Sequence, residues 1–111
     1  MTVRVMVFTS IIPGQQAAFE AAFTEVTRQV KGTPGHIKDE LLHQENAPES
    51  YILLSEWESR EAFIAWEDAP IHRQITTPMR PYWSGRVERK IYDVAVRLNS
   101  QTVEPLVREV A

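Results

Sequence analysis

An α+β fold in the order β-α-β-β-α-β, one antiparallel sheet with two helices on one face, is the class this 111-residue sequence predicts. Three observations predict it. The N-terminal run MTVRVMVFTSII is rich in β-branched and aromatic residues. The stretch after Pro13-Gly14 places Phe19, Phe23, Val26 and Val30 at helical spacing. Beyond Gly32-Thr33-Pro34-Gly35, two strand-like runs flank a turn-forming segment, and a shorter helical pattern and a long last strand follow.

Thr2–Ile12 is the first strand, with Val3, Val5 and Val7 on one face and Arg4, Met6 and Phe8 on the other, a pattern suited to a strand covered on both sides. Pro13-Gly14 end it. From Gln15 to about Lys31 the apolar stripe is opposed by Glu20, Glu25, Arg28 and Lys31, which makes an amphipathic helix. Pro34 then removes a backbone donor, and the flanking glycines tolerate positive φ. His36–Gln44 is the second and most polar strand, fit for a sheet edge or for one wet face. On a regular strand His36 and His43 fall on opposite faces, which argues against a two-histidine metal site.

Glu45–Ser50 is a turn by composition and of hairpin length, and Tyr51–Trp57 is the third strand. Ser59 can cap a helix over Arg60–Asp68, whose first turn carries Glu61 where the helix dipole favours an acid. Pro70 opens a further helical turn to about Thr76. Pro78 and Pro81 predict an irregular loop over Thr77–Gly85, and Val87–Leu98 is the final strand. The domain is thus expected to span residues 1–98. In the tail, 99–111, Val103, Leu106, Val107 and Val110 predict a packed helical turn or a contact with a neighbour.

With 12 basic and 15 acidic residues the formal charge is −3, and no Lys/Arg block occurs, so neither nucleic acid nor a membrane surface is an expected partner. No apolar run approaches the roughly 18 residues of a membrane span. The N-terminus reads as a strand rather than a secretion signal. The absence of cysteine excludes disulfides, thiolate metal sites and a cysteine nucleophile, and fits a cytoplasmic protein. Because the first and third strands and the later half of the last carry many apolar side chains, the sheet face away from the helices needs a cover. A second copy of so short a chain supplies it, as a homodimer with sheet facing sheet.

Chemistry concentrates between Trp57 and Trp83. Trp57, Phe63 and Trp66 are flat apolar side chains that can wall a pocket for an aromatic small-molecule ligand, or simply fill the core. His72 follows Trp66 by six residues, and a histidine titrates near neutrality, so it is either a general base or ligand beside that pocket or a surface or hydrogen-bonded histidine. Arg80, Tyr82 and Trp83 can close over a ligand, Arg80 supplying positive charge to a phenolate or carboxylate, or they can pack at a dimer rim. Asp39, Glu40, Arg89, Lys90 and Asp93 are read as sheet electrostatics. No metal site is expected, and no Gly-rich phosphate cradle, nucleophile elbow or HExxH pattern occurs.

The order of Pro13-Gly14, Pro34-Gly35, Tyr51, Trp57-Glu58-Ser59, Glu61-Ala62-Phe63 and Trp66 resembles the antibiotic biosynthesis monooxygenase (ABM) domain, from about Val3 to Val96. The resemblance implies a ferredoxin-like subunit that pairs into a dimeric α+β barrel. It also implies two chemistries. Haem-degrading members use an asparagine on the first strand, a tryptophan on the second helix and, about ten residues later, a histidine that ligates iron. This sequence has Val7, Trp66 and then Ile75 or Thr76, with His72 one turn early, so haem is disfavoured as a cofactor. Quinone-forming members oxidise polycyclic phenols with O2 and neither metal nor flavin, using a tryptophan like Trp57, a tyrosine six residues on and an asparagine four residues before. The last two positions hold Phe63 and Leu53 here. The expectation is cofactor-independent, monooxygenase-like oxidation of an aromatic, polyketide-type molecule, with Trp66 and His72 as the catalytic pair. A non-catalytic dimeric binding or accessory protein using the same pocket is the alternative.

Overall fold

The computed structural model describes residues 1–98 and 100. Its elements are β1 (Val3–Ile11), α1 (Gln16–Val30), β2 (His36–His43), β3 (Ser50–Trp57), α2 (Arg60–Asp68), α3 (Pro70–Thr76), a 3-10 helix (Thr77–Tyr82) and β4 (Trp83–Asp93). The strands form one antiparallel sheet in the order β2-β3-β1-β4. This is the ferredoxin-like α+β arrangement, with the helices on one face.

The core lies between that face and the helices, and strand periodicity builds it. Val3, Val5 and Ile11 of β1 and Tyr51 and Trp57 of β3 meet Phe19, Val26 and Val30 of α1, Phe63 and Trp66 of α2, and Met79, all buried. Phe19 packs edge-on to Tyr51 at 5.1 Å between ring centroids. Tyr51 is buried, and its hydroxyl donates to Oε2 of exposed Glu20 at 2.7 Å. Ser59 caps α2 as expected, its Oγ accepting from the Ala62 amide at 3.1 Å.

Three expectations need correction. First, Thr77–Tyr82 is a 3-10 helix rather than an irregular loop: Pro78 sits in its first turn, where no donor is needed, and Pro81 is carried inside it. Second, the last strand runs over Trp83–Asp93 instead of Val87–Leu98. Gly85, at φ +75°, reads as a breaker but lies in a bulge: Phe8 pairs with Glu88 while Ser10 pairs with Ser84, so extra residues of β4 are accommodated and Trp83 joins the sheet. The strand stops after Asp93 because β1 runs out. The Val94 amide makes the last bond, to Thr2 O, and the chain then carries Arg97 to Glu56, Nη1 to Oε2 at 2.6 Å.

The third correction concerns parity. β2 pairs His36 with Trp57 but Lys38 with Glu56, so Ile37 is bulged. One extra residue inverts the alternation. His36 therefore shares the helix-facing side with Asp39, Leu41 and His43, its ring 5.0 Å from that of Trp57, while His43 stacks on Tyr51 at 4.5 Å. The two histidines face the same way but sit at opposite ends of the strand. Among the described residues no cluster of three His, Cys, Asp or Glu is placed to hold a metal.

The face away from the helices carries Arg4, Met6 and Phe8 of β1, Ile52, Leu54 and Glu56 of β3, Leu42 of β2 and Tyr92 of β4. Leu42 and Tyr92 are exposed. No helix among the described residues is long and apolar enough to cross a membrane. The predicted helical turn over Val103 to Val110 lies outside the described residues.

Candidate functional site

A cavity of about 360 Å³ opens between the helices and the sheet, within the size range of small-molecule sites. Its floor is Val5 and Val7 of β1 with Leu53, Ser55 and Trp57 of β3. Phe23, Val26 and Val30 of α1 close one side, and Phe63 and Trp66 of α2, His72 and Thr76 of α3, Met79, Arg80 and Trp83 close the other. Six of the seven site residues expected from the sequence therefore meet at one cavity. Tyr82 does not: its ring lies 6.4 Å from Phe19, and its carbonyl accepts from the Ile12 amide at 2.9 Å, so it ties the 3-10 helix to the end of β1.

The two roles considered for Trp57, Phe63 and Trp66 coincide, because the wall of this cavity is the core. Trp57 is 1% exposed, donates Nε1–H to Ser55 Oγ at 2.9 Å and meets Phe63 edge-on at 5.6 Å. A wall of this kind is rigid, since each ring is fixed by packing behind it.

His72 stands edge-on to Trp66 at 5.1 Å. Burial pushes its pKa below the usual histidine value, nearby Glu67 opposes that shift and Arg80 adds to it. The ring is therefore neutral at pH 7, the form that can take a proton. Arg80 Nη2 donates to Thr76 Oγ1 at 3.0 Å, and its guanidinium lies 5.4 Å from the Trp83 ring centroid. Neither Arg80 Nε nor Trp83 Nε1 has a partner, although both atoms are buried. Arg80 makes no ion pair among the described residues. Two buried donors without acceptors, one on a cation, cost stability unless a ligand answers them.

Residues read as sheet electrostatics also belong here. Arg89 crosses to α2, its Nε 2.7 Å from Glu67 Oε2, and lies 5.6 Å from the centroid of Phe63. The signal was present in the sequence: Glu67 follows Phe63 by four residues and so shares its sheet-facing side of the helix. Asp39 lines the cavity from β2 and meets His36, Nε2 to Oδ2 at 2.9 Å. The ring N–H is not aimed along that line, so the contact is close without being a well-directed hydrogen bond.

The sequence pattern of the family described as antibiotic biosynthesis monooxygenase matches residues 2–77. The chain belongs to the antibiotic biosynthesis monooxygenase family. Protein SchA of Streptomyces halstedii is 35% identical over 83 residues, covering 75% of this chain and 22% of SchA. A heme oxygenase (mycobilin-producing) of Mycobacterium tuberculosis is 33% identical over 57 residues, covering 51% of this chain and 54% of that protein. The chain thus spans about a fifth of SchA's length and about half of the haem oxygenase's. The crystal structure of SnoaB, a cofactor-independent oxygenase from Streptomyces nogalater, superposes with a TM-score of 0.76 at 21% identity, over 87% of this chain and 96% of SnoaB, a likeness of fold.

Of the positions to which the family resemblance points, Val7, Leu53, Trp57, Phe63, Trp66 and Thr76 line this one cavity and Ile75 does not. Where an iron-ligating histidine is expected, Ile75 is buried and Thr76 donates its hydroxyl to the His72 carbonyl at 2.9 Å. Neither side chain offers iron an imidazole, so these residues do not fit a haem.

Proposed function

We propose that this ABM-family chain oxidises a planar, electron-rich aromatic compound of the polyketide phenol type with O2 and no bound cofactor. What carries the reading is a cavity walled by Trp57, Phe63, Trp66 and Trp83 in which a neutral histidine and an unpaired arginine meet. The aromatic walls hold a flat ring by burial and edge or face contact. Arg80 and Trp83 Nε1–H stabilise an oxygen on that ring as it becomes negative. His72 accepts the phenolic proton, and the phenolate that remains can pass an electron to O2. For a ring methylene beside the phenol the balance closes. One oxygen atom becomes the quinone carbonyl, the other leaves as water, and the substrate supplies all four electrons. Trp66 holds the His72 ring and shields the intermediates from water.

The sheet face away from the helices, with Phe8, Leu42, Ile52 and Tyr92, supports a homodimer, which light scattering tests as a mass twice the 12.8 kDa of the chain. The cysteine-free composition supports a cytoplasmic location. Oxygen uptake by metal- and flavin-free protein with a panel of anthrones and naphthols tests the activity. Binding of the same compounds without uptake returns the chain to the non-catalytic alternative. A saturable Soret shift on adding haem would contradict the assignment of the cavity.

A further inference from the structure

The cavity crosses the whole sheet. Asp39 lines it from one edge strand, β2, and Arg89 lines it from the other, β4, three strand spacings or about 14 Å apart along the sheet. Its two ends differ in chemistry. At the β4 end Glu67 answers Arg89, leaving Arg80 as the unpaired cation with Trp83 Nε1–H beside it. At the β2 end is a carboxylate. The bulge at Ile37 sets His36 beside Asp39, their side chains 7% and 12% exposed, and His36 Nε2 contacts only Oδ2. The other carboxylate oxygen makes no hydrogen bond among the described residues. A largely enclosed carboxylate that lines an apolar cavity with one oxygen free of protein donors can accept from a ligand there.

The geometry points to Asp39 as the acceptor for a ligand hydroxyl at the far end from Arg80, with His36 as the residue that positions it. The ligand class follows: a planar fused-ring aromatic with an anionic or electron-rich oxygen at the Arg80 end and a hydroxyl at the Asp39 end. This rests on the aromatic-cavity reading above and adds a specificity element to it. Burial pushes the Asp39 carboxyl up and His36 pulls it back, which leaves a carboxylate more basic than an ordinary one and a stronger acceptor. The sequence hides the pair, because regular alternation sets His36 and Asp39 on opposite faces.

Two probes separate the ends: 2-naphthoic acid, which has the anion alone, and 6-hydroxy-2-naphthoic acid, which adds a hydroxyl at the opposite end. All three tryptophans line the cavity, so quenching of their fluorescence reports binding. Wild type is expected to bind the hydroxy acid about tenfold more tightly, the size of a hydrogen bond to a charged group. Asp39→Asn is expected to bring the ratio to within about twofold, and His36→Gln to lower the ratio in the same direction. Equal binding of both probes by wild type overturns the Asp39 inference and leaves the aromatic cavity standing. Binding of neither overturns both. A preference that survives in Asp39→Asn also overturns the inference, and the wild-type comparison decides the matter if the variants do not fold.

Discussion

Replacing Gly35 by alanine perturbs the joint that holds the wall of the cavity in place. Gly35 precedes β2 at φ +83°, its carbonyl accepts the Glu58 amide at 2.8 Å, and a Cβ at this position would run into the Cβ of Ala62 on α2. Two costs add. A left-handed backbone costs an L-residue about 1–2 kcal/mol, and forcing a methyl into a filled space costs about 1–3 kcal/mol more. Ala62 cannot swing away, because its Cβ is fixed to a helix whose Phe63 and Trp66 are buried. The expected loss is about 2–5 kcal/mol, a fall in Tm of about 8–20 °C at roughly 4 °C per kcal/mol for a domain of this size. Gly32 is the control, at φ +91° with open space around its Cβ, so Gly32→Ala keeps only the backbone cost. Thermal melts followed by circular dichroism give both, and Ala62→Gly in the Gly35→Ala background is expected to recover the steric part. Equal losses for the two single variants, with no recovery, would refute the close approach of α2 to β2 and with it the placement of Phe63 and Trp66.

The pH dependence has a definite sign. His72 has a folded pKa below its unfolded value, so the unfolded chain binds the extra proton: the group's contribution to stability is full above about pH 6.5 and is lost as pH falls below it. The rate is expected to be flat near neutrality and to fall in acid, with His72→Ala removing that acid limb along with most of the turnover, as initial rates against pH will show. Arg80→Met is expected to lower affinity for phenolate and carboxylate ligands about tenfold or more, with little change for neutral naphthalene, measurable by fluorescence titration. On the opposite face, Arg97→Ala leaves Glu56 buried without its partner and is expected to destabilise the fold more than Glu56→Gln, by an order of 1–3 kcal/mol in urea melts.

Local signals were read well because they depend on neighbours in the chain. Helices α2 and α3 start and stop where Ser59, Pro70 and the apolar spacing put them, and the four strands follow in the expected order. Six of the seven residues singled out for a site line the cavity, because α2, α3, the 3-10 helix and the start of β4 follow one another around its rim. What escaped the sequence depends on register. Nothing in HIKDELLH marks Ile37 as the extra residue, yet that bulge turns His36 inward beside Asp39. Gly85 has the sequence character of a loop edge but is a kink within β4, which is why the place of Trp83 in the sheet is not legible from composition. Arg89 could be placed on its strand but not paired, since its partner Glu67 lies on a helix and the pairing needs the packing of one on the other.

In the proposed function the protein itself, without metal, flavin or haem, lets an aromatic substrate react with O2 in this cavity. Oxygen consumption by protein stripped of metal and flavin, followed with an oxygen electrode on the anthrone and naphthol panel, tests it most directly. The prediction is saturable uptake with at least one polycyclic phenol, one O2 consumed per quinone formed, reduced to background in the Trp66→Ala/His72→Ala double variant. Equal uptake by that variant, or none by wild type with any compound that quenches its tryptophans, contradicts it.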